Sequence, residues 1–146
     1  SLGPHGFSPS VVVATVRDEI RLASIDSLPH TFVLSDSAGQ VLQMPLPPGH
    51  SGNTRPLLRT GFFQSQCSFD HPDETVPIWV FDHPYHARLD SAGMFRLDQV
   101  PEGTFHLGVW TAPGSATPSA TQEIRVRHGR IDTVEVILNS AVAGRE

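Results

Sequence analysis

Thirteen prolines and twelve glycines are spread through 146 residues, and they fall between short apolar runs instead of gathering in one linker. Breakers at that spacing leave no room for helices, so the chain is predicted to be all-β with little helix. The candidate strands are 11–16, 19–25, 30–35, 40–46, 61–66, 77–81, 94–97, 104–110, 121–126 and 131–138. Several alternate cleanly: Phe105, Leu107 and Val109 oppose Thr104, His106 and Gly108, while Val134, Val136 and Leu138 oppose Thr133, Glu135 and Ile137. Alternation of this kind gives one face to the interior and one to water. Asp36-Ser37-Ala38-Gly39 and Asp90-Ser91-Ala92-Gly93 put aspartate first and glycine last, so both read as hairpin turns. Pro101-Glu102-Gly103 and His128-Gly129 supply further tight connections, and 112–120 reads as a loop. Trp79 and Trp110 are expected to plug the core.

Composition narrows the function classes. All ten basic residues are arginines scattered from Arg17 to Arg145, and the net charge is −5. Nucleic-acid binding needs a concentrated basic stripe, so it is excluded as a partner class. No apolar run approaches a membrane span. One cysteine, Cys67, rules out an internal disulfide.

That cysteine is the chemically informative residue. In Gln66-Cys67-Ser68-Phe69-Asp70-His71-Pro72 an imidazole follows the thiol by four positions. Copper electron-transfer sites use two histidines and one cysteine in a trigonal plane with a weak axial ligand. Leu28-Pro29-His30-Thr31-Phe32, at the head of another predicted strand, offers the second histidine. The expected metal ligands are therefore His30, Cys67 and His71, with one copper ion as cofactor. Among the other histidines, His50 reads as a solvent-facing turn residue, His83 and His86 as a surface turn, and His106 as an outward strand residue. His5 and His128 fall in a tail and a turn. Asp70, Asp73 and Glu74 read as solvated loop acids. No hydrolase elbow or phosphate loop is present, although Cys67 with His30 is also the residue pair of a thiol nucleophile and its base.

Asp18-Glu19-Ile20, Asp26, Pro29-His30-Thr31-Phe32-Val33, Pro48-Gly49-His50 and Gly61-Phe62-Phe63 running into Cys67 and His71 together resemble a cupredoxin over residues 11–82. The continuation through Ile78-Trp79-Val80-Phe81-Asp82-His83-Pro84-Tyr85-His86-Ala87, Asp90 to Leu97 and Val100 to Trp110 resembles cupredoxin-like proteins of the methylamine-utilisation type. These carry a carboxypeptidase-regulatory-like β-sandwich half. The resemblance implies a Greek-key β-sandwich of cupredoxin type over residues 10–82, extended by a small regulatory-like β-sandwich over 83–139, the two being either separate domains or one continuous unit. It further implies an exported, periplasmic copper protein that carries single electrons and docks transiently with redox protein partners through an apolar rim. The family commonly spaces its loop as Cys-x2-His-x2-Met, or with slightly longer gaps, whereas three residues separate Cys67 from His71 and Glu74 falls where methionine is expected; Met94 is far downstream. A carboxylate there is a harder ligand than a thioether, which favours the oxidised metal. The alternatives are a metal-free accessory or adhesion sandwich, and an open or red-type copper centre with a catalytic or small-molecule-binding role.

Overall fold

The computed structural model describes residues 2–3, 6–25, 27–67, 75–111, 115 and 117–138. The described residues contain strands and no helix, which is the all-β class that the breaker spacing predicts. The chain divides into two compact units, Ser1–Leu97 and Asp98–Glu146.

Among the described residues the first unit holds nine strands: β1 (Leu2–Gly3), β2 (Gly6–Phe7), β3 (Val12–Thr15), β4 (Arg21–Ala23), β5 (His30–Asp36), β6 (Gly39–Leu46), β7 (Ser51–Asn53), β8 (Gly61–Cys67) and β9 (Thr75–Phe81). Five of them form one sheet in the order β3-β9-β8-β5-β6, with β3 parallel to β9 and every other pair antiparallel. The antiparallel pair β4–β7 forms a second, smaller sheet. Leu22 from β4 and Leu57 just after β7 join one buried cluster with Ala14, Phe32, Leu34, Leu46, Phe63, Val76, Ile78 and Val80 from the large sheet. The result is a sandwich of unequal layers. Parity builds its core: Phe63, Ser65 and Cys67 alternate with half-buried Phe62 and exposed Gln64 and Gln66, while Val76, Ile78 and Val80 alternate with Thr75, Pro77 and Trp79.

Strand β5 does not alternate. His30, Thr31, Phe32, Val33 and Leu34 are all buried, because this interior strand is covered on both faces. The Asp36–Gly39 turn forms as predicted, with Asp36 Oδ1 accepting from the Ala38 amide at 2.8 Å and Gly39 at φ 124°, a conformation that favours glycine.

Other expectations fail for identifiable reasons. The Asp90–Gly93 turn is present, with Asp90 Oδ1 accepting from the amides of Ala92 and Met94. It joins no strands, since 94–97 pairs with nothing in a ladder. The run expected over 19–25 is shortened to β4 (Arg21–Ala23), whereas the polar Ser51–Asn53 segment, carrying no apolar signal, becomes a strand by pairing with it. Trp79 is not a core plug: it sits half-buried on the outer face of the large sheet, its ring centroid 5.0 Å from that of Phe62, its register partner. Trp110 is likewise only half-buried.

The second unit pairs β10 (Gly103–Val109) with β11 (Ala120–Val126) in an antiparallel ladder over their full length. Residues 131–138, expected as a strand, alternate in exposure as the pattern predicts up to Ile137, with Leu138 exposed against it, and form no ladder. Every buried side chain among the described residues belongs to the first unit.

Candidate metal centre

Two of the four expected ligands lie within the described residues, and the sheet brings them together. β5 and β8 are antiparallel neighbours in which Phe32 stands directly opposite Cys67. His30 lies two residues before Phe32, on the same face of β5 and two residues past the end of the β5–β8 ladder. Diagonal neighbours on one sheet face are within reach of long side chains. His30 Nδ1 accordingly lies 3.5 Å from Cys67 Sγ. Residues 37 positions apart in the chain thus meet at one end of the sandwich because two strands share a register.

The pair is closed to water. His30 is 3% exposed and Cys67 1%. Behind Cys67, Ser65 is fully buried and its hydroxyl donates to the Val76 carbonyl at 3.1 Å, tying β8 to β9 beside the pair. Phe32 is held from the other side by an edge-on contact with Phe7, ring centroids 6.2 Å apart. The sequence signal for this support is the run Phe63-Gln64-Ser65-Gln66-Cys67, in which every second residue points inward; Phe7, from a segment with no strand pattern, had no such signal.

The donor spacing suits a shared ion. A nitrogen about 2.1 Å and a thiolate sulfur about 2.3 Å from one metal stand about 3.6 Å apart at a tetrahedral angle and about 3.8 Å apart at a trigonal one. The observed separation is 3.5 Å. Without metal the same contact serves as a thiol–imidazole hydrogen bond. The donor types, soft sulfur and imidazole, are those that select copper or zinc over hard cations.

His71 and Glu74, the other expected ligands, and the acids Asp70 and Asp73 lie outside the described residues. Among the described residues no group of three or more metal-binding side chains comes together. His50 is exposed, as expected of a turn residue, with Nδ1 2.8 Å from the Pro48 carbonyl oxygen. It nevertheless lies toward the same end of the unit, because the His50 carbonyl accepts from the Ser24 amide and its own amide donates to Pro47, which follows the residue paired with His30. Ile25 and Leu28, in the connection leading to His30, are 68% and 44% exposed. His106 points outward as predicted, and His128 is exposed. His86 departs from the surface-turn expectation: it is half-buried against β3 and β9.

No helix among the described residues is long and apolar enough to cross a membrane. No protein-family model matches the sequence, and no curated protein matches it. Solved structures that resemble it include a purple cupredoxin from Nitrosopumilus maritimus, with 22% identity over 53% of this chain and 83% of that one at a TM-score of 0.46. The reduced state of an amicyanin mutant gives 14% identity over 53% and 74% at 0.46. Auracyanin B gives 13% identity over 55% and 83% at 0.40.

Proposed function

We propose that the chain is a copper-binding protein of cupredoxin type that carries single electrons. The observation that supports this reading most directly is the 3.5 Å approach of His30 Nδ1 to Cys67 Sγ in a water-excluded pocket. In this reading His71 and Glu74, from the segment that follows Cys67, complete the ligand set, with Glu74 in the axial position. Copper bound there would supply one-electron chemistry, and a mixed nitrogen–sulfur set serves both of its oxidation states.

The chain's own contribution is stiffness. His30 and Cys67 stand on paired strands, not on loops. Ser65 and Phe32 lock those strands from both sides, so the donors need to move little when charge changes. Burial excludes water from the thiolate. The exposed Ile25 and Leu28 supply an apolar rim beside His30 suited to short-lived docking with redox protein partners. Export to the periplasm accompanies this reading. So does a carboxypeptidase-regulatory-like β fold for the second unit, with which its antiparallel β10–β11 pairing is in keeping.

The test is to add Cu(II) to the purified protein and record its visible spectrum. An intense charge-transfer band that disappears in Cys67→Ser, with the far-ultraviolet circular dichroism unchanged, is the expected result. Absence of the band in the wild type, or its persistence in Cys67→Ser, overturns thiolate ligation. Electron paramagnetic resonance then assigns the loop ligands: loss of the wild-type signal in His71→Ala and its alteration in Glu74→Gln are expected.

A further inference from the structure

The geometry points to residues 82–88 as a strap that neutral His86 holds against the outer face of β3 and β9, and that lets go when this ring takes up a proton. The strap begins where β9 ends. Phe81 and Thr15 are register partners on the outer face of the large sheet, opposite the core residues Ala14 and Val80. The His86 ring stacks on Phe81, with centroids 5.2 Å apart and planes at 23°, and its Nε2 lies 3.1 Å from Thr15 Oγ1. Two residues on, an Arg88 guanidinium nitrogen donates to the Val11 carbonyl at 3.2 Å. The chain therefore runs back along β3 from Thr15 to Val11, the residue just before the strand, pinned at both.

Only one of these pins can titrate near neutrality. The second ring nitrogen of His86, Nδ1, is sealed from solvent and has no hydrogen-bond partner among the described residues. A neutral imidazole tolerates this arrangement, because Nε2–H donates to the Thr15 hydroxyl oxygen while Nδ1 keeps a bare lone pair. An imidazolium does not: both nitrogens then carry protons, and the pocket offers one acceptor. A charged donor left buried and unpaired is costly, and the ring regains water by leaving.

Two titratable groups face the ring, one from the strap and one from the turn after β3. His83, on the strap itself, lies tilted against the same Phe81, ring centroids 5.5 Å apart, and its electrostatic influence disfavours a proton on His86. Asp18, in the turn after β3, favours the charged ring, but its Oδ2 already accepts from the Thr15 amide at 2.8 Å. Burial is the largest influence, and with His83 it holds His86 below its ordinary 6.5. A ring whose pKa is depressed when docked keeps the strap fully in place above about pH 6.5. As the pH falls below that value, the released strap gains a proton that the docked one resists, so docking weakens. A single proton limits the response to about tenfold per pH unit.

Hydrogen exchange followed by mass spectrometry on the full chain tests this, reading peptides that cover residues 82–88 and correcting for the intrinsic pH dependence of amide exchange. Protection of the strap should be constant from pH 8 to 7 and fall by up to about tenfold per unit below 6.5, while peptides from β8 stay protected. In His86→Phe, which keeps the stack on Phe81 and cannot titrate, the strap should lose its pH response. In His83→Gln, which leaves His86 in place, the response should persist. A flat wild-type profile overturns the proposal. So does a His86→Phe protein that retains the wild-type slope, or a His83→Gln protein that loses it.

Discussion

The thiol of Cys67 is a built-in reporter of how tightly the His30–Cys67 end of the sandwich is closed, and replacing Phe32 by alanine should open it. Phe32 is 1% exposed, stands across the ladder from Cys67 and packs edge-on against Phe7. Removing a buried phenylalanine ring costs about 3–5 kcal/mol, the lost transfer energy plus the void it leaves. A single domain has only about 5–15 kcal/mol to lose, so most of the margin of the first unit would go. Since Cys67 is itself 1% exposed, a thiol reagent reaches it only after the structure opens, and each 1.36 kcal/mol is a factor of ten in the open population. The reaction of the metal-free protein with an aromatic disulfide reagent should therefore speed up by about 10²- to 10⁴-fold in Phe32→Ala. With only one cysteine in the chain, the absorbance trace has a single source. Leu58→Ala is the control: that side chain is 76% exposed, and a change within about 0.5 kcal/mol holds the rate within about threefold. A Phe32→Ala rate as close as that to wild type would refute the argument that core packing around Phe32 seals the pair.

Two further predictions rest on single contacts. Thr54, 4% exposed, accepts from the Ile20 amide at 3.0 Å through its hydroxyl; Thr54→Val leaves that amide without this acceptor and should lower urea-unfolding stability by about 1–3 kcal/mol, whereas an unchanged midpoint would show the bond to be dispensable. In the second unit, Asp132 bonds the Arg127 guanidinium and backbone amide across the His128-Gly129 turn, and the Arg127 contacts hold its carboxyl below the ordinary 3.8. The stabilisation is thus present above pH 3.8 and lost as the pH falls through the lowered value. Nuclear magnetic resonance titration of the turn amides should show that loss near the bottom of the acid range, with no transition in Asp132→Asn.

The interplay of pattern and packing is visible in particular residues. Alternation identified β10 and β11, because each shows one face to water and the period of two survives in the sequence, whereas β8 and β9 were legible only as short runs between breakers. The same rule could not describe β5, whose five consecutive buried residues follow from being covered on both faces. Ser51–Asn53 carries no apolar signal and is a strand only because β4 lies beside it. Residues 131–138 carry the alternation without the ladder, since a period says which side of a segment faces inward and nothing about what lies at its edge. For the candidate centre, residue type singled out Cys67 and His30 before any geometry was known. Their meeting could not be read from the chain, because it depends on the Phe32–Cys67 register between strands 37 positions apart at the two ligands.

The amino-acid sequence by itself determined the class: breakers every few residues forbid helices and make strands, and a lone cysteine excludes an internal disulfide. Tertiary structure decided which side chains are neighbours. It set His30 3.5 Å from Cys67 and turned His86, one histidine among eight, into a half-buried ring with one hydroxyl partner. The physical reason is that strand-forming tendency is local, whereas register, burial and the number of acceptors around a ring are set by segments distant in the chain.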